Sequence, residues 1–197
     1  MPHPPIGQVI SSISKSDLSE QERAGLLLMR EEEKLAHDVY VKLSEKWPLR
    51  PLQNIPRGEQ MHMDAMKALL DRYGIQDPID EKPLGEFSTA DMQKLYDQLV
   101  AQGEQSIADA VEVGLLIEEL DIADLNRLMQ QADNEDIKVV YQNLTKGSRN
   151  HLRMFWRQLG RYNGSYTPQH LAQSEFDRIA RSEPERGQLI TDPNFQF

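Results

Sequence analysis

Two stretches of the chain carry a histidine in the same setting. They align without a gap and read GEQMHMDAMKALLDRY at 58–73 and GSRNHLRMFWRQLGRY at 147–162. The alignment pairs His62 with His151, but Glu59, three residues before the first histidine, is paired with Ser148. Residues three apart in a helix lie on one face, so Glu59 and His62 can present a carboxylate and an imidazole to the same ion. The pattern predicts metal-binding chemistry that lacks one acid in the second copy.

A glutamate-rich segment precedes each histidine stretch. The two segments are EEKLAHDV at 32–39 and EELDIADL at 118–125. Aligned from their first residues, they pair Glu33 with Glu119. The repeated unit is then a helix with a glutamate followed by a helix with a histidine. The sequence therefore predicts a two-helix hairpin that is duplicated to make four helices.

Carboxylates and imidazoles from four helices are the ligands of a dinuclear metal site. A glutamate from each of two helices and a Glu-x-x-His pair from each of the other two converge in the core of such proteins. This donor set suits iron or manganese better than magnesium or calcium. The alternative is an ordinary role, because Glu-x-x-His pairs are frequent on solvated helices and His62 lies among methionines. The recurrence of the histidine at equivalent positions favours metal binding.

Helix signals along the chain predict the elements that must position these residues. Ser19 and Glu22 form a capping box that begins a first long helix, which Pro48 ends. The further predicted helices lie at about 52–73, 88–101, 106–131, from the DNED stretch to about 162, and at 168–181. No β-branched alternation indicates a strand. The predicted fold class is all-α: an antiparallel four-helix bundle with a long crossover between the second and third long helices, plus short extra helices.

The same signals divide the chain into three parts. Residues 1–18 are rich in proline and serine, which is typical of a loose terminal segment. The bundle is expected at 19–163, and the C-terminal helix and tail at 164–197 are expected to pack on it.

Composition excludes several classes of protein. The 197 residues include no cysteine, which excludes disulfides, zinc–thiolate sites and iron–sulfur clusters. The net charge of −10 argues against nucleic-acid binding, which requires a basic face. No apolar run is long enough to span a membrane, and no signal peptide is visible. We expect a cytoplasmic protein with no nucleic-acid or membrane partner, and an exported form stays open if the natural chain is longer.

Four motifs of the chain resemble an uncharacterized bacterial and archaeal ferritin-like family related to rubrerythrin. They are MREEEKLAHDVY, EQMHMDAMKALLDRYG, IEELDIADL and GSRNHLRMFWRQL, and the resemblance covers roughly residues 20–180. It implies a site for two iron ions, with manganese as an alternative. The implied ligands are Glu33, Glu59, His62, Glu119 and His151, with Glu112 or Glu118 as substitutes for Glu119. Tyr40 matches the first-helix tyrosine of ferritins, as a hydrogen-bond donor beside the ligands or as a packing residue.

Ser148 departs from the family pattern, which has a glutamate in this place. Three outcomes are open. Glu112 or Glu118 supplies the missing oxygen, one metal position is weak or solvated, or the site is mononuclear or vestigial.

Two functions are compatible with such a site. The first is an oxidoreductase that acts on peroxide, oxygen or ferrous iron, with the metal ions as the redox groups. Rubrerythrin-like peroxidases receive electrons through a cysteine-bearing rubredoxin domain, so a chain without cysteine would need a separate electron donor. The second is a non-enzymatic metal-binding or structural bundle with a degenerate site, which Ser148 favours. The oligomeric state is open, with a homodimer as one alternative.

Overall fold

The structure, a computed structural model, describes residues 6–187 and 189–197. This part of the chain contains eight α-helices and no strand, which confirms the all-α prediction for the described residues. The helices are α1 (Ile6–Ser12), α2 (Glu20–Lys46), α3 (Arg50–Asn54), α4 (Pro56–Tyr73), α5 (Ala90–Gly103), α6 (Ile107–Gln131), α7 (Glu135–Leu159) and α8 (Gln173–Arg181). None of these helices combines the length and the apolar composition that a membrane crossing requires.

The ends of the long helices agree with their sequence signals. The hydroxyl of Ser19 accepts the backbone N–H of Glu22, and the Glu22 carboxylate accepts the N–H of Ser19, as the capping box predicts. Ser106 begins α6 in a similar way by accepting the N–H of Asp109. Gly74 ends α4 with φ 67°, a left-handed conformation that favours glycine.

Two predicted helices differ from the observed ones toward their N-terminal ends. The predicted second long helix is divided at Ile55 into α3 and α4, because Pro56 has no backbone N–H with which to continue the hydrogen-bond ladder. The C-terminal helix that was predicted at 168–181 begins only at Gln173. In the segment before it, the backbone N–H groups of Gln169, His170 and Leu171 donate to the carboxylate of Glu119 on α6.

The N-terminal segment that was predicted to be loose contains helix α1. Residues 1–5 of that segment lie outside the described residues. Ile10 of α1 is buried in a hydrophobic cluster with residues of α2 and α4. After α1, Arg72 of α4 donates to the carbonyl oxygen of Ile13, and Lys15 donates to the carbonyl oxygen of Arg72. Apolar burial and these hydrogen bonds give the segment a defined position.

The long helices pack as two hairpins, α2 with α4 and α6 with α7. A crossover that contains α5 connects the hairpins. Contacts between α4 and α7 join them. Gly58 near the start of α4 lies against His151, and Tyr73 at the end of α4 donates to Asp136 near the start of α7. These two helices therefore run in opposite directions.

A polar layer separates two hydrophobic clusters between the long helices. One cluster includes Met29 of α2 and Leu144 of α7. The other includes Ala36 and Leu152 of the same two helices. Between these positions both helices place buried polar side chains in the core. The residues with potential chemistry lie in this layer.

Candidate metal centre

Glu59 on α4 lies between the two histidines of the repeated stretches. Its Oε2 is 3.0 Å from Nδ1 of His62, and its Oε1 is 2.8 Å from Nδ1 of His151. The two imidazole rings stack, with centroids 5.5 Å apart and planes at 29°. One carboxylate therefore contacts both histidines, and both present Nδ1 to it.

Each histidine also contacts a glutamate of the preceding long helix. Nδ1 of His62 is 3.0 Å from Oε2 of Glu33 on α2, and Nδ1 of His151 is 3.5 Å from Oε2 of Glu118 on α6. Two groups result, Glu33–Glu59–His62 and Glu59–Glu118–His151, and the potential ligand atoms of each lie within 4.8 Å of one another. Because Glu59 belongs to both groups, the arrangement can hold two cations that share one carboxylate.

Glycines make room for the histidines where the hairpins meet. A Cβ atom on Gly58 would lie 2.9 Å from Nε2 of His151, and one on Gly147 would lie closer still to Nε2 of His62. These glycines are the first residues of the two aligned stretches. Each stretch therefore supplies one histidine and also the space for the histidine of the other stretch. This reciprocal contact explains why both glycine and histidine occur twice.

The carboxylates of the site are buried and incompletely paired. Glu33, Glu59 and Glu118 are each 0% exposed. Within the described residues, no hydrogen-bond partner meets Oε1 of Glu33, either oxygen of Glu59 or Oε2 of Glu118. Nδ1 of His151 has none either, since its contact with Glu59 lacks the geometry of a hydrogen bond. A buried, unpaired carboxylate costs several kcal/mol, and a cation between these atoms would remove that cost, so the residues fit a metal.

Without a cation, the histidines are the counter-ions of the carboxylates. Burial opposes the charged form of His151, but the charges of Glu59 and Glu118 outweigh burial and raise its pKa to about 10. Burial likewise opposes protonation of His62, and the charge of Glu33 raises its pKa well above the ordinary value. Burial and the charge of Glu59 together raise the pKa of Glu118 to about 7. Three carboxylates thus face two imidazoles, and a proton or a metal ion must balance the charge.

Tyr40 on α2 combines the two roles that the sequence left open. Its hydroxyl donates a 2.6 Å hydrogen bond to Oε1 of Glu118. Its ring is fully buried and packs against Phe155, with centroids 5.2 Å apart. The tyrosine therefore packs in the core and also orients a carboxylate of the site.

Glu119 and Glu112 lie away from the histidines, contrary to expectation. The Glu119 carboxylate accepts the hydroxyl of Tyr166 as well as the three backbone N–H groups after Pro168. Glu112 accepts the backbone N–H of Ser165 at 3.0 Å. Glu118, the substitute considered from the sequence, lies beside His151 instead. In the structure the residue equivalent to Glu33 is therefore Glu118. The sequence alignment, which paired Glu33 with Glu119, is wrong by one residue.

Asp121 is a buried acid that the sequence reasoning missed. It lies three residues after Glu118, is 1% exposed, and its Oδ2 meets no hydrogen-bond partner in the part of the chain that the structure describes. The spacing was the available signal, because residues three apart share one face of a helix. Ser148 is 0% exposed, and its hydroxyl donates to the carbonyl oxygen of Leu144 in its own helix.

The chain is similar to proteins of one family. Residues 22–183 match the model of a family described as an uncharacterized protein domain, DUF2202. The uncharacterized protein MJ0754 of Methanocaldococcus jannaschii is 51% identical over 180 residues, which are 91% of this chain and 97% of that protein. The crystal structure of hypothetical protein MJ0754 from Methanococcus jannaschii DSM 2661 matches with a TM-score of 0.86 and 50% identity, over 88% of this chain and 99% of that chain. None of these descriptions states an activity, so the function must be argued from the buried side chains.

Proposed function

The chain belongs to the DUF2202 family of uncharacterized protein domains, and we propose that it is a ferritin-like protein that binds two metal ions, iron or manganese, between its four long helices. The proposal rests chiefly on one observation. Glu59 contacts Nδ1 of both histidines, and each histidine has a second glutamate beside it. Mixed carboxylate and imidazole donors in a buried layer suit these two metals.

The ferritin-like arrangement is supported by the order of the helices. Two antiparallel hairpins, joined by a long crossover, place a glutamate on the first and third long helices and a histidine on the second and fourth. This is the order in dimetal carboxylate proteins of the ferritin-like class. Only the second Glu-x-x-His pair is incomplete, at Ser148.

Two iron ions held in this place would pass electrons to peroxide or oxygen, with ferrous iron or a separate donor protein as the source of those electrons. The residues of the chain would hold the ions and shape their surroundings. Tyr40 orients the Glu118 carboxylate through its hydrogen bond. Hydrophobic clusters border the polar layer on both sides. A peroxidase would also need a separate electron donor, because the chain has no cysteine for an iron–sulfur or rubredoxin-type centre.

The second candidate is a protein that binds metal without redox turnover. The observation that favours it is Ser148, whose hydroxyl bonds within its own helix and leaves α7 with one ligand where α4 has two. A weaker second metal position would suit storage or a structural role. The two candidates share the metal site and differ in whether the bound ions change their oxidation state.

Metal-dependent stability tests the site. Under anaerobic conditions, ferrous or manganous ion should raise the melting temperature of the metal-free protein. At a free ion concentration of 100 Kd the stabilisation should be about 2.7 kcal/mol for one site. His62→Ala and His151→Ala should each abolish most of this rise, because each removes the Nδ1 donor of one group. His37→Ala is the matched control, since His37 lies on α2 near Glu33 but contacts Asp38 at 2.8 Å.

The outcomes separate the alternatives. A wild type whose melting temperature ignores both ions, or equal shifts in all three variants, would contradict the metal site. If two ferrous ions bind, exposure to oxygen and then to peroxide distinguishes the functions. A ferric absorption that develops over successive additions supports redox activity, whereas bound ferrous ion with an unchanged spectrum supports the non-enzymatic candidate.

A further inference from the structure

We propose that Asp121 supplies the metal-binding carboxylate that Ser148 lacks, so that the second hairpin carries this acid on α6 instead of α7. This inference rests on the dimetal site proposed above and adds a ligand to it. It answers why a histidine is repeated while the acid beside it is not.

The register of the second hairpin places Asp121 opposite Ser148. Glu118 of α6 lies beside His151 of α7. Four residues before Glu118 and four residues after His151, Gly114 lies against the ring of Phe155. The two helices are therefore antiparallel with a constant register over this length. The same register places the residue three after Glu118 opposite the residue three before His151. These two residues are Asp121 and Ser148.

The first hairpin has the same register with the acid on the other helix. Glu33 of α2 lies beside His62 of α4. By the same register, Ala36, three residues after Glu33, faces Glu59, three residues before His62. Both residues are fully buried. In the first hairpin a small residue on the earlier helix faces an acid on the later one. In the second hairpin the acid is on the earlier helix, and the small Ser148 faces it.

The surroundings of Asp121 call for a cation. Its carboxylate is buried, and Oδ2 has no hydrogen-bond partner among the described residues. Burial, together with the charges of Glu33, Glu118 and Glu32, raises its pKa well above the ordinary value. An acid that only supported the fold would need a donor or a positive partner here. Asp121 belongs to neither of the two groups whose ligand atoms lie within 4.8 Å of one another. A cation bound beside Glu118 would draw the Asp121 carboxylate toward it and compensate these charges together.

Manganese binding to the metal-free protein tests the assignment. The number of bound Mn²⁺ ions and their affinities can be measured by the resonance of the free ion and by elemental analysis. Wild type should bind two ions per chain. Asp121→Asn should weaken one of them by at least about 10–100-fold, since that loss is typical when only an outer-shell partner of a ligand is removed. Asp109→Asn should leave both unchanged, because Asp109 lies in the first turn of α6, nine residues before Glu118, and its carboxylate accepts the hydroxyl of Ser106.

A relocated acid provides the second test. The double variant Asp121→Ala/Ser148→Glu completes the second Glu-x-x-His pair of the ferritin-like ligand set. It should regain the second ion that Asp121→Ala alone loses. The metal-free Asp121→Asn protein should melt at the same or a higher temperature than wild type, since it loses a buried acid whose ionisation the neighbouring carboxylates oppose. A purely structural role predicts the opposite, a lower melting temperature with unchanged metal content.

The results also distinguish this inference from the proposed function. If wild type and Asp121→Asn bind two ions with equal affinity, the role of Asp121 is wrong and the dimetal site stands. If a folded double variant fails to regain the second ion, the replacement of Ser148 by Asp121 is wrong. Should the double variant not fold, the nearly isosteric Asp121→Asn decides alone. If wild type binds no ion, both proposals fail.

Discussion

The two hairpins agree in the contacts that they make with each other and differ in the contacts that they make within themselves. Across their interface, His62 lies against Gly147 and His151 lies against Gly58. Each hairpin has one further acid near its histidine–glutamate pair. In the first hairpin this acid is Glu59 on the later helix, α4, and in the second it is Asp121 on the earlier helix, α6. A contact between the copies needs both partners at once, whereas an acid can approach the same point from either helix. The histidine and glycine positions are therefore the more restricted part of the repeat.

A second comparison concerns the residue immediately after each site glutamate. Lys34 comes after Glu33, and Glu119 comes after Glu118. Lys34 donates to Asp38 and to the carbonyl oxygen of Pro83 in the crossover. Glu119 instead accepts hydrogen bonds from the segment after α7. Neighbouring residues of a helix point in directions about 100° apart, so one turn of each helix serves the site and also holds an outer segment.

The largest expected effect is a difference between two neighbouring glutamates of α6, Glu118 beside the histidines and Glu119 beside the segment after α7. Glu119→Gln leaves one acceptor oxygen for four donors, and it should lower the free energy of unfolding by about 2–4 kcal/mol, because hydrogen bonds to a charged group contribute about 1.5–3 kcal/mol each. Its metal content should stay that of wild type. Glu118→Gln should do the reverse, with metal binding weakened and little change in the stability of the metal-free protein. Urea denaturation and elemental analysis of both variants measure this, and a loss of metal in Glu119→Gln would break the comparison.

An intermediate effect on stability is expected when Gly58 and Gly147, the glycines that contact the histidines, are replaced by alanine. Alanine within a helix gains about 1 kcal/mol over glycine, while overpacking in a core costs about 1–3 kcal/mol. Because the added Cβ comes closer to the imidazole at Gly147 than at Gly58, Gly147→Ala should be net destabilising and Gly58→Ala nearly neutral. Both should weaken metal binding by displacing a histidine. Gly160→Ala is the control, since its Cβ would meet no atom within 4 Å in the described part of the chain. If both glycine variants bind metal as wild type does, the histidines have room that the structure does not show.

Much of the fold could be predicted from local signals. The capping residues Ser19 and Ser106 and the terminal Gly74 mark helix ends because their own backbone or side chain meets the orphan groups there. The contacts that hold the segment before α8 could not be predicted, because they involve Glu119, about fifty residues earlier in the chain. No local pattern contains a hydrogen bond of that range.

The candidate site divides in the same way. Glu33, Glu59, His62 and His151 could be identified because the repeat and the helical spacing mark them. The choice between Glu118 and Glu119 could not be made, since it depends on the register of α6 against α7 and a shift of one residue turns a side chain by about 100°. Asp121 was missed because the repeat does not mark it, since the two copies differ at this position. A comparison of the residue pairs that face each other across the two hairpins would have identified it.

The last expected effect concerns arginine–carboxylate pairs that hold each hairpin to an outer segment. Arg30 of the first hairpin lies 2.8 Å from Asp77, and Arg149 of the second lies 2.6 Å from Glu185. Burial alone would raise the pKa of either carboxyl, but the hydrogen bonds from arginine outweigh burial and lower it. A carboxyl whose pKa is lower in the folded than in the unfolded chain contributes its full stability above the unfolded pKa, about 4. That contribution is lost as the pH falls through the folded pKa.

Asp77→Asn and Glu185→Gln should therefore lower stability near pH 7 and make it less dependent on pH below about 4. The loss at pH 7 should be about 1–2 kcal/mol for Asp77→Asn, on the scale of hydrogen bonds to charged groups. It should be larger for Glu185→Gln, because Glu185 also accepts from Arg153 at 3.0 Å. Urea denaturation of the metal-free proteins between pH 7 and pH 3 provides the comparison with wild type, and exposed Asp71→Asn, which removes a surface pair with Lys67, should change almost nothing. If Asp77→Asn destabilises more than Glu185→Gln, the second hairpin is not the more firmly held of the two.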